Sequence, residues 1–468
     1  MEAYLFVDFG STFTKLTLVD ITKEEIIATA KAYTTVAENV IIGYNNAINE
    51  LKGKVKNFNE INIVKTLACS SAAGGLKIIS IGLVPDLTAE AAKRAALGAG
   101  ARVIGNYAFK LNNSEFLEIK RSVADMILLA GGTDGGNEET ILHNAQGLVD
   151  VGIDIPIVVA GNKTAYDKIE EIFKDKVIYH MTENVMPKIN VINVDPAREA
   201  IREIFMNNIT KAKGMDSVEN DISKVIMPTP QAVLKAAEAL GEGTVNEEGV
   251  GEIMIIDIGG ATTDVHTIGK GDPTKPGVFL SGLEEPMAKR TVEGDLGMRY
   301  SAMSVYEASG RRMLEQYLDC SNIDIEKEYS KRYENTSFVS TEEKDIKFDE
   351  AMAKICVDLS VKRHAGVVEP VYSPLGVVYS QRGKDLTDFK TIIGTGGILV
   401  NSKNPDEILS ASKFKPEDLN SLKPRFPKFY TDKTYILSAM GLLSTVDKDM
   451  SIRIMKKYIM ENKNEVTE

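Results

Sequence analysis

The sequence predicts an α/β fold made of two similar halves with a cleft between them. The chain has 468 residues, which is too long for one ordinary hydrophobic core. A strand–turn–strand unit that contains Asp and Gly occurs twice, at AYLFVDFGSTFTKLTLVD (3–20) and EIMIIDIGGATTDVHTI (252–268). Strands and helices follow each unit, and they alternate strictly from about 125 to 210, which is typical of a parallel sheet covered by helices.

The remaining elements are predicted in chain order. The first half begins with an antiparallel meander of three strands within 3–33 and continues with a helix at about 36–51. Residues 209–229 are polar and end in MPTP, which predicts a domain boundary near 228, so that 125–210 is an α/β insertion in domain 1–228. The second domain, 229–430, contains a charged insertion at about 321–350. Residues 431–468 are predicted to form a helical segment that returns to the first domain.

Charge and cysteine content exclude several functional classes. Lys+Arg 55 against Asp+Glu 67 gives a net charge of −12, which argues against nucleic acid and anionic membranes as partners. No run approaches the roughly 18 apolar residues of a membrane helix, and MEAYLFVDFG lacks a basic segment before its apolar run, so we expect a cytoplasmic protein. The three cysteines are widely separated and are expected to be buried thiols, and the four histidines show no zinc-site spacing.

The first Asp-Gly turn has the composition of a phosphate-binding loop. Asp8 ends a strand, a glycine allows a tight turn, and hydroxyl and amide donors follow, with a lysine beside them. Donors that converge beside a carboxylate able to organise hydrated Mg²⁺ suit a nucleoside triphosphate. An ordinary β-turn is the alternative. The candidate residues are Asp8, Gly10, Ser11, Thr12, Thr14 and Lys15.

The second Asp-Gly turn repeats this arrangement, and a third glycine cluster follows it. TIIGTGGILV (391–400) follows a strand pattern and precedes a helix pattern, and its glycines would allow close approach of a base or ribose. Three such elements in fixed order are a much stronger signal than one. The candidate residues are Asp257, Gly259, Gly260, Thr262, Thr263 and Asp264 in the second turn, and Gly394, Thr395, Gly396 and Gly397 in the third.

A competing motif overlaps the second turn. DVHTIG (264–269) matches D-x-H-x-x-G, by which one class of cobalamin-binding domains presents a histidine to cobalt. In those domains the motif lies between a strand and a helix, whereas His266 is predicted in the second strand of a hairpin. No S-x-L segment follows near 309–314. We interpret the match as coincidence and assign Asp264 to the phosphate turn.

The order of these elements resembles the superfamily of actin, sugar kinases and Hsp70 ATPases. The counterparts are DFGSTFTK, the helix TPQAVLKAAEAL (229–240), DIGGATTD, IGTGG and the helix ILSAMGLLS (436–444). VEGDLGMR (292–299) resembles the superfamily's short acidic segment and would place Gly294 and Asp295 near the cleft. Ala261 departs from the pattern, since a third glycine is common there. The resemblance implies a duplicated actin-like (ribonuclease H-like) ATPase fold.

Three longer segments point to one family within this superfamily. LLAGGTDGGNEE (128–139), KRTVEGDLGMRYSA (289–302) and RGKDLTDFKTIIGTGG (382–397) resemble the GlmL/MutL-type accessory proteins of glutamate (methylaspartate) mutase, an adenosylcobalamin enzyme. The resemblance implies an ATP-dependent reactivating chaperone whose partners are mutase subunits. It implies that Asp8 and Asp257 hold the water shell of Mg²⁺ and that Asp257 orients the attacking water. Thr12, Lys15 and Thr262 would grip phosphate oxygens.

Several alternatives remain open at this point. A small-molecule kinase could use the same fold, although no catalytic base for a substrate is identifiable. A reactivating factor for an ornithine or lysine aminomutase is also compatible, and a filament-forming actin relative would need a self-association surface that the sequence does not identify. GGTDGGNEE (131–139) is either a structural strand-to-helix turn or a partner or anion contact through Thr133, Asp134 and Asn137.

Overall fold

The computed structural model contains two compact units, Met1–Val233 and Leu234–Glu468. The residues it describes are 1–10, 12–34, 39–71, 76–209, 225–319, 321–374 and 376–461. Ser11 and Cys320 therefore lie outside the described residues. Among the described residues, no helix is both long and apolar enough to cross a membrane.

The first unit begins with a mixed sheet of five strands in the order β3-β2-β1-β4-β10. β1, β2 and β3 form the predicted antiparallel meander, whereas β4 and β10 run parallel to β1. β1 is buried along nearly its whole length, which explains its almost continuous apolar sequence. The strands are Glu2–Phe9 (β1), Phe13–Asp20 (β2), Glu25–Tyr33 (β3), Asn62–Ser70 (β4) and Val225–Pro228 (β10).

A second sheet of the first unit is fully parallel, in the order β6-β5-β7-β8-β9. The alternation of strands and helices predicted it, but it begins at Lys77 rather than near 125. Its strands are Lys77–Gly82 (β5), Arg102–Ala108 (β6), Met126–Leu129 (β7), Ile157–Val159 (β8) and Tyr179–Met181 (β9). The helices are Val40–Lys54 (α1), Glu90–Gly98 (α2), Asn113–Arg121 (α3), Glu139–Asp150 (α4), Tyr166–Phe173 (α5), Asp195–Ile209 (α6) and Thr229–Glu242 (α7).

The second unit repeats the mixed sheet in the order β14-β12-β11-β17-β18. β12 is antiparallel to β11 and β14, and β17 and β18 are parallel to β11. Strand order and directions therefore match those of the first sheet. This repetition is the duplicated actin-like (ribonuclease H-like) fold that the sequence predicts. The strands are Ile253–Ile258 (β11), Thr263–Ile268 (β12), Val278–Leu280 (β13), Ala288–Glu293 (β14), Val367–Ser373 (β15), Gly376–Arg382 (β16), Thr391–Thr395 (β17) and Lys428–Thr431 (β18), of which β13, β16 and β15 form a separate small sheet.

The charged stretch 321–350, predicted as a surface subdomain or loop, forms helical structure around a buried arginine. Arg332 is fully buried, and its guanidinium donates to Asp349 Oδ1 at 2.5 Å and to Glu328 Oε2 at 2.8 Å. Arg332, Asp345 and Asp349 therefore lie in the interior, whereas most other charged residues of this stretch are exposed. The helices of the unit are Ala302–Leu314 (α8), Ile325–Glu334 (α9), Glu343–His364 (α10), Gly397–Asn401 (α11), Pro405–Leu409 (α12), Leu437–Leu443 (α13) and Lys448–Met455 (α14).

The two helices predicted at 229–240 and 436–444 are both present. α7 and α13 each follow the fifth strand of a mixed sheet, and the small residues Ala236 and Ala439 are buried. Residues 225–228, which the sequence assigns to a polar boundary, form β10. The domain limits at 228 and 430 and the return of 431–468 to the first domain stay predictions.

Candidate functional site

The first Asp-Gly turn connects β1 and β2. The Gly10 N–H donates to the Phe13 carbonyl at 3.1 Å, and a Cβ on Gly10 would lie 2.6 Å from that oxygen, so this close approach requires glycine. Thr12 is exposed. Thr14 is fully buried and shares a hydrogen bond with Thr34 Oγ1 at 2.9 Å, which explains this threonine structurally. Of Thr12 and Thr14, the two predicted hydroxyl donors of this turn that the structure describes, Thr12 is therefore the one that is exposed.

Asp8 lies at the end of β1 in an enclosed environment and is only 5% exposed. Its Oδ1 accepts hydrogen bonds from Thr229 Oγ1 at 2.6 Å and from Cys69 Sγ at 3.6 Å. Its Oδ2 lies 3.7 Å from Lys15 Nζ. Burial, and then the Asp8 charge, raise the pKa of Cys69 well above its usual value, so this residue is a thiol. Neither Thr229 nor Cys69 is predicted as a site residue from the sequence, although the Thr-Pro that opens α7 is a helix-start signal.

The second Asp-Gly turn connects β11 and β12, and its carbonyl groups are bound by the segment that follows β14. Met298 N–H donates to Gly259 O at 3.0 Å, and Arg299 N–H donates to Gly260 O at 2.8 Å. Ser301 Oγ donates to Ala261 O at 2.6 Å. In the part of the chain that the structure describes, the N–H groups of Gly260, Ala261 and Thr262 have no protein acceptor. This partly exposed turn therefore offers unpaired amide donors, which suit an oxyanion.

Asp264 follows this turn and forms a buried ion pair. Arg290 donates to Asp264 Oδ1 from Nε at 2.9 Å and from Nη2 at 2.6 Å. Thr262 Oγ1 donates to Asp264 Oδ2 at 3.2 Å. The neighbouring Thr263 is fully buried and donates to Leu296 O at 2.7 Å. No local sequence pattern predicts Arg290 as the partner of Asp264, because the two residues meet only through the pairing of β12 with β14.

The third element lies beside the second turn in the same sheet. β17 pairs in parallel with β11, and Asp257 is in register with Thr395. The carboxyl ends of these strands therefore meet at one edge, where α/β sheets commonly bind ligands. A Cβ on Gly394, which lies within β17, would be 2.8 Å from Leu399, so core packing explains this glycine, whereas Gly397 has no atom within 4 Å of its Cβ position. Asp257 is partly buried.

The segment with Gly294 and Asp295 is anchored to α10. Arg363 donates to both carboxylate oxygens of Asp295 at 2.7 and 2.8 Å, and to Glu293 Oε2 at 2.7 Å. Ser301 Oγ donates to Gly294 O at 2.9 Å. The same serine donates to Ala261 O, so this segment lies against the second turn, while a position of Gly294 and Asp295 near a cleft stays a prediction. These contacts indicate that Asp295 positions the segment through an ion pair.

His266 lies inside β12, the second strand of the hairpin, as the sequence predicts. It is 1% exposed, and its Nδ1 has no hydrogen-bond partner among the described residues. Burial, and then the charge of Arg290, lower the pKa of His266 to about 3, and Asp264 opposes this only in part. A ligand to cobalt would need an accessible ring nitrogen, which this position does not offer.

The GGTDGGN turn (131–137) follows β7 and is held by asparagines. Asn162 is fully buried, and its Oδ1 accepts from Gly135 N at 3.0 Å. Asn184 Nδ2 donates to Asp134 Oδ1 at 2.9 Å, and Asn137 Oδ1 accepts from Thr140 N at 3.1 Å. These contacts account for the turn as a structural strand-to-helix connection. A partner contact through Thr133, Asp134 or Asn137 stays a prediction.

Comparison with known proteins gives a consistent family. The family model described as "MutL protein" matches residues 4–459. "Protein MutL" of Clostridium tetanomorphum is 58% identical over 462 residues, which are 98% of this chain and 100% of the relative.

Solved structures give much looser similarities. A nucleotide-free acetone carboxylase is 16% identical, with a TM-score of 0.39 over 94% of this chain and 70% of that one. Gluconate kinase from Lactobacillus acidophilus is 12% identical, with a TM-score of 0.34 over 98% and 92%. A glycerol dehydratase reactivase is 9% identical, with a TM-score of 0.35 over 95% and 99%. The fold assignment rests on the repeated strand order and not on these scores.

Proposed function

Because the chain belongs to the MutL protein family, which its match over residues 4–459 establishes, we propose that it is an ATP-dependent accessory protein of an adenosylcobalamin-dependent mutase. Glutamate (methylaspartate) mutase is the partner we propose, as the segments quoted from the sequence imply. The task is to release damaged cobalamin from the mutase so that intact adenosylcobalamin can enter.

The second Asp-Gly turn carries the nucleotide-binding part of this proposal. Its three amide groups without a protein acceptor, at Gly260, Ala261 and Thr262, suit phosphate oxygens. The turn lies next to the end of β17, where Gly397 leaves space for a ribose or a base. Carboxylates and hydroxyls at this edge are the oxygen ligands that hydrated Mg²⁺ prefers. These residues therefore fit Mg·ATP.

The reaction we propose is hydrolysis of ATP to ADP and phosphate. Mg²⁺ would neutralise charge on the phosphate oxygens when it is bound. Asp257, at the end of β11, would hold metal-bound water and orient the attacking water, which makes catalysis mainly a matter of positioning and charge stabilisation. For the first turn we propose the roles that the resemblance implies: Asp8 would hold metal-bound water, and Thr12 and Lys15 would bind phosphate oxygens.

Hydrolysis is useful to a reactivating factor because it resets a binding preference. A protein that binds the open and closed states of a cofactor site with equal affinity does not shift the equilibrium between them. Nucleotide occupancy must therefore change the affinity of this chain for one state of the mutase. A non-hydrolysable analogue should then permit binding but block repeated turnover.

The test uses glutamate mutase inactivated with a cobalamin that lacks its adenosyl group. The mutase is incubated with free adenosylcobalamin, MgATP and this protein, and recovered activity is measured over many turnovers. Recovery should require the wild-type chain and ATP, and should fail with Asp257→Asn. Asp272→Asn, an exposed carboxylate change in the same unit, should recover activity as the wild type does.

Three other outcomes point elsewhere. Equal recovery without ATP would indicate a passive assembly factor. Phosphorylation of a small metabolite would favour the kinase. Recovery of an aminomutase but not of glutamate mutase would change the partner and keep the mechanism.

A further inference from the structure

The hydrogen of the Thr262 hydroxyl is donated in a hydrogen bond within the protein. Thr262 Oγ1 donates to Asp264 Oδ2 at 3.2 Å, while Arg290 occupies the other carboxylate oxygen with two donors. A carboxylate paired with a guanidinium acts as an acceptor on both oxygens. A threonine hydroxyl has one hydrogen and two lone pairs, so the Thr262 oxygen keeps only acceptor capacity for a ligand.

The charge arrangement that fixes this hydroxyl is buried. Asp264 is 8% exposed and Arg290 is 6% exposed. Burying an ion pair costs the hydration of both charges, so the pair itself is weak evidence for added stability. The more informative consequence of this pair is that it fixes the orientation of the Thr262 hydroxyl. His266 is in register with Arg290 and carries no charge near neutral pH, since burial lowers its pKa to about 3. Arg290 is therefore the cation that pairs with Asp264 here.

We propose that Arg290 is a positioning residue that acts through Asp264 and makes the Thr262 hydroxyl an acceptor for Mg²⁺ or for its bound water. This inference rests on the proposed nucleotide function and revises the expectation that Thr262 donates to a phosphate oxygen. The unpaired amide groups of the turn supply the phosphate donors instead. The turn thus separates two tasks: its amides bind phosphate, and its hydroxyl oxygen serves the metal.

The experiment measures metal and nucleotide affinity separately. Mn²⁺ is titrated into the protein saturated with a non-hydrolysable ATP analogue, and free Mn²⁺ is followed by electron paramagnetic resonance. Calorimetry gives the affinity for the analogue in EDTA. Thr262→Val should weaken Mn²⁺ binding by about tenfold or more, a typical loss for a residue that supports a metal site, and should change analogue affinity in EDTA far less.

Three variants distinguish positioning from simple destabilisation. Thr262→Ser keeps the hydroxyl and should keep wild-type Mn²⁺ affinity. Arg290→Lys keeps the charge but loses the two-donor geometry, and should weaken Mn²⁺ binding. Thr267→Val, in β12, removes a buried hydroxyl that contacts His364 Nε2 at 2.8 Å, and should lower the melting temperature without changing Mn²⁺ affinity.

The outcomes separate this inference from the proposed function. Equal weakening by Thr262→Val with and without Mn²⁺ would assign the hydroxyl to phosphate or to structure and would overturn the inference alone. Wild-type Mn²⁺ affinity in Arg290→Lys would remove the positioning role. If the wild type binds no analogue in either condition, the proposed nucleotide function fails, and the inference fails with it.

Discussion

Replacing Gly396 by alanine should destabilise the second unit, because the glycine joins β17 to α11 in a backbone conformation and a space that exclude a side chain. Its φ is 100° and its ψ is 156°, a region essentially restricted to glycine, where another residue costs about 1–3 kcal/mol. A Cβ would also lie 2.3 Å from the Ile258 carbonyl oxygen, which belongs to β11 and cannot rotate away. Overpacking of this kind costs about 1–3 kcal/mol more.

The two costs together lower the free energy of unfolding by at least about 2 kcal/mol. For a unit of this size, this corresponds to a melting temperature about 4–8 °C lower. The assay is thermal unfolding followed by circular dichroism, with hydrogen exchange of β11 and β17 as a local readout. Gly397→Ala is the matched control, since it has no atom within 4 Å of the Cβ position and no positive φ. It should leave stability unchanged but weaken binding of ATP analogues. A wild-type melting temperature for Gly396→Ala would refute the steric argument.

Three further predictions concern buried groups. His266 takes up a proton below about pH 6.5 in the unfolded chain but only near pH 3 in the folded protein. The free energy of unfolding should therefore fall as the pH drops through this window, by up to about 1.4 kcal/mol per pH unit. His266→Leu should make the dependence of unfolding free energy on pH less steep between pH 6.5 and 5; an unchanged slope would contradict the burial argument. The isolated chain should show no bound cobalamin in its absorption spectrum, and a base-off signal that depends on His266 would oppose this. Cys69 should resist iodoacetamide until denaturant is added, as site-resolved mass spectrometry can show, and rapid modification of the native protein would contradict the raised pKa of its thiol.

Local signals explain why much of the fold could be predicted. Asp8-Phe-Gly10 and Asp257-Ile-Gly259 each combine an apolar strand with a residue that permits a tight turn, and both hairpins are present. Strand and helix periods identified most of the parallel sheet between β7 and β9. β6 was missed because its RVIGNYA sequence contains a glycine and polar residues, which weaken a strand pattern.

The partners of the site residues could not be predicted, because they are separated in sequence. Thr229 meets Asp8 through a separation of 221 residues, and Arg290 meets Asp264 through a register between β12 and β14 that no local pattern encodes. The contacts of the buried Arg332 could not be predicted for the same reason. Composition alone does not reveal that Asp345 and Asp349 of this stretch are buried.

The repeated topology also explains why the two aspartates differ in environment. Asp8 is in register with Cys69 of the parallel strand β4, and Asp257 is in register with Thr395 of the parallel strand β17. The positions are equivalent, but Cys69 and Thr229 both hydrogen-bond to Asp8, which is 5% exposed. Asp257 remains partly accessible beside a turn with unpaired amides. In the hydrolysis that we propose, the carboxylate that holds metal-bound water must exchange this water at each cycle and needs access to solvent. Asp257→Asn is therefore a more direct test of the proposed mechanism than the same change at Asp8.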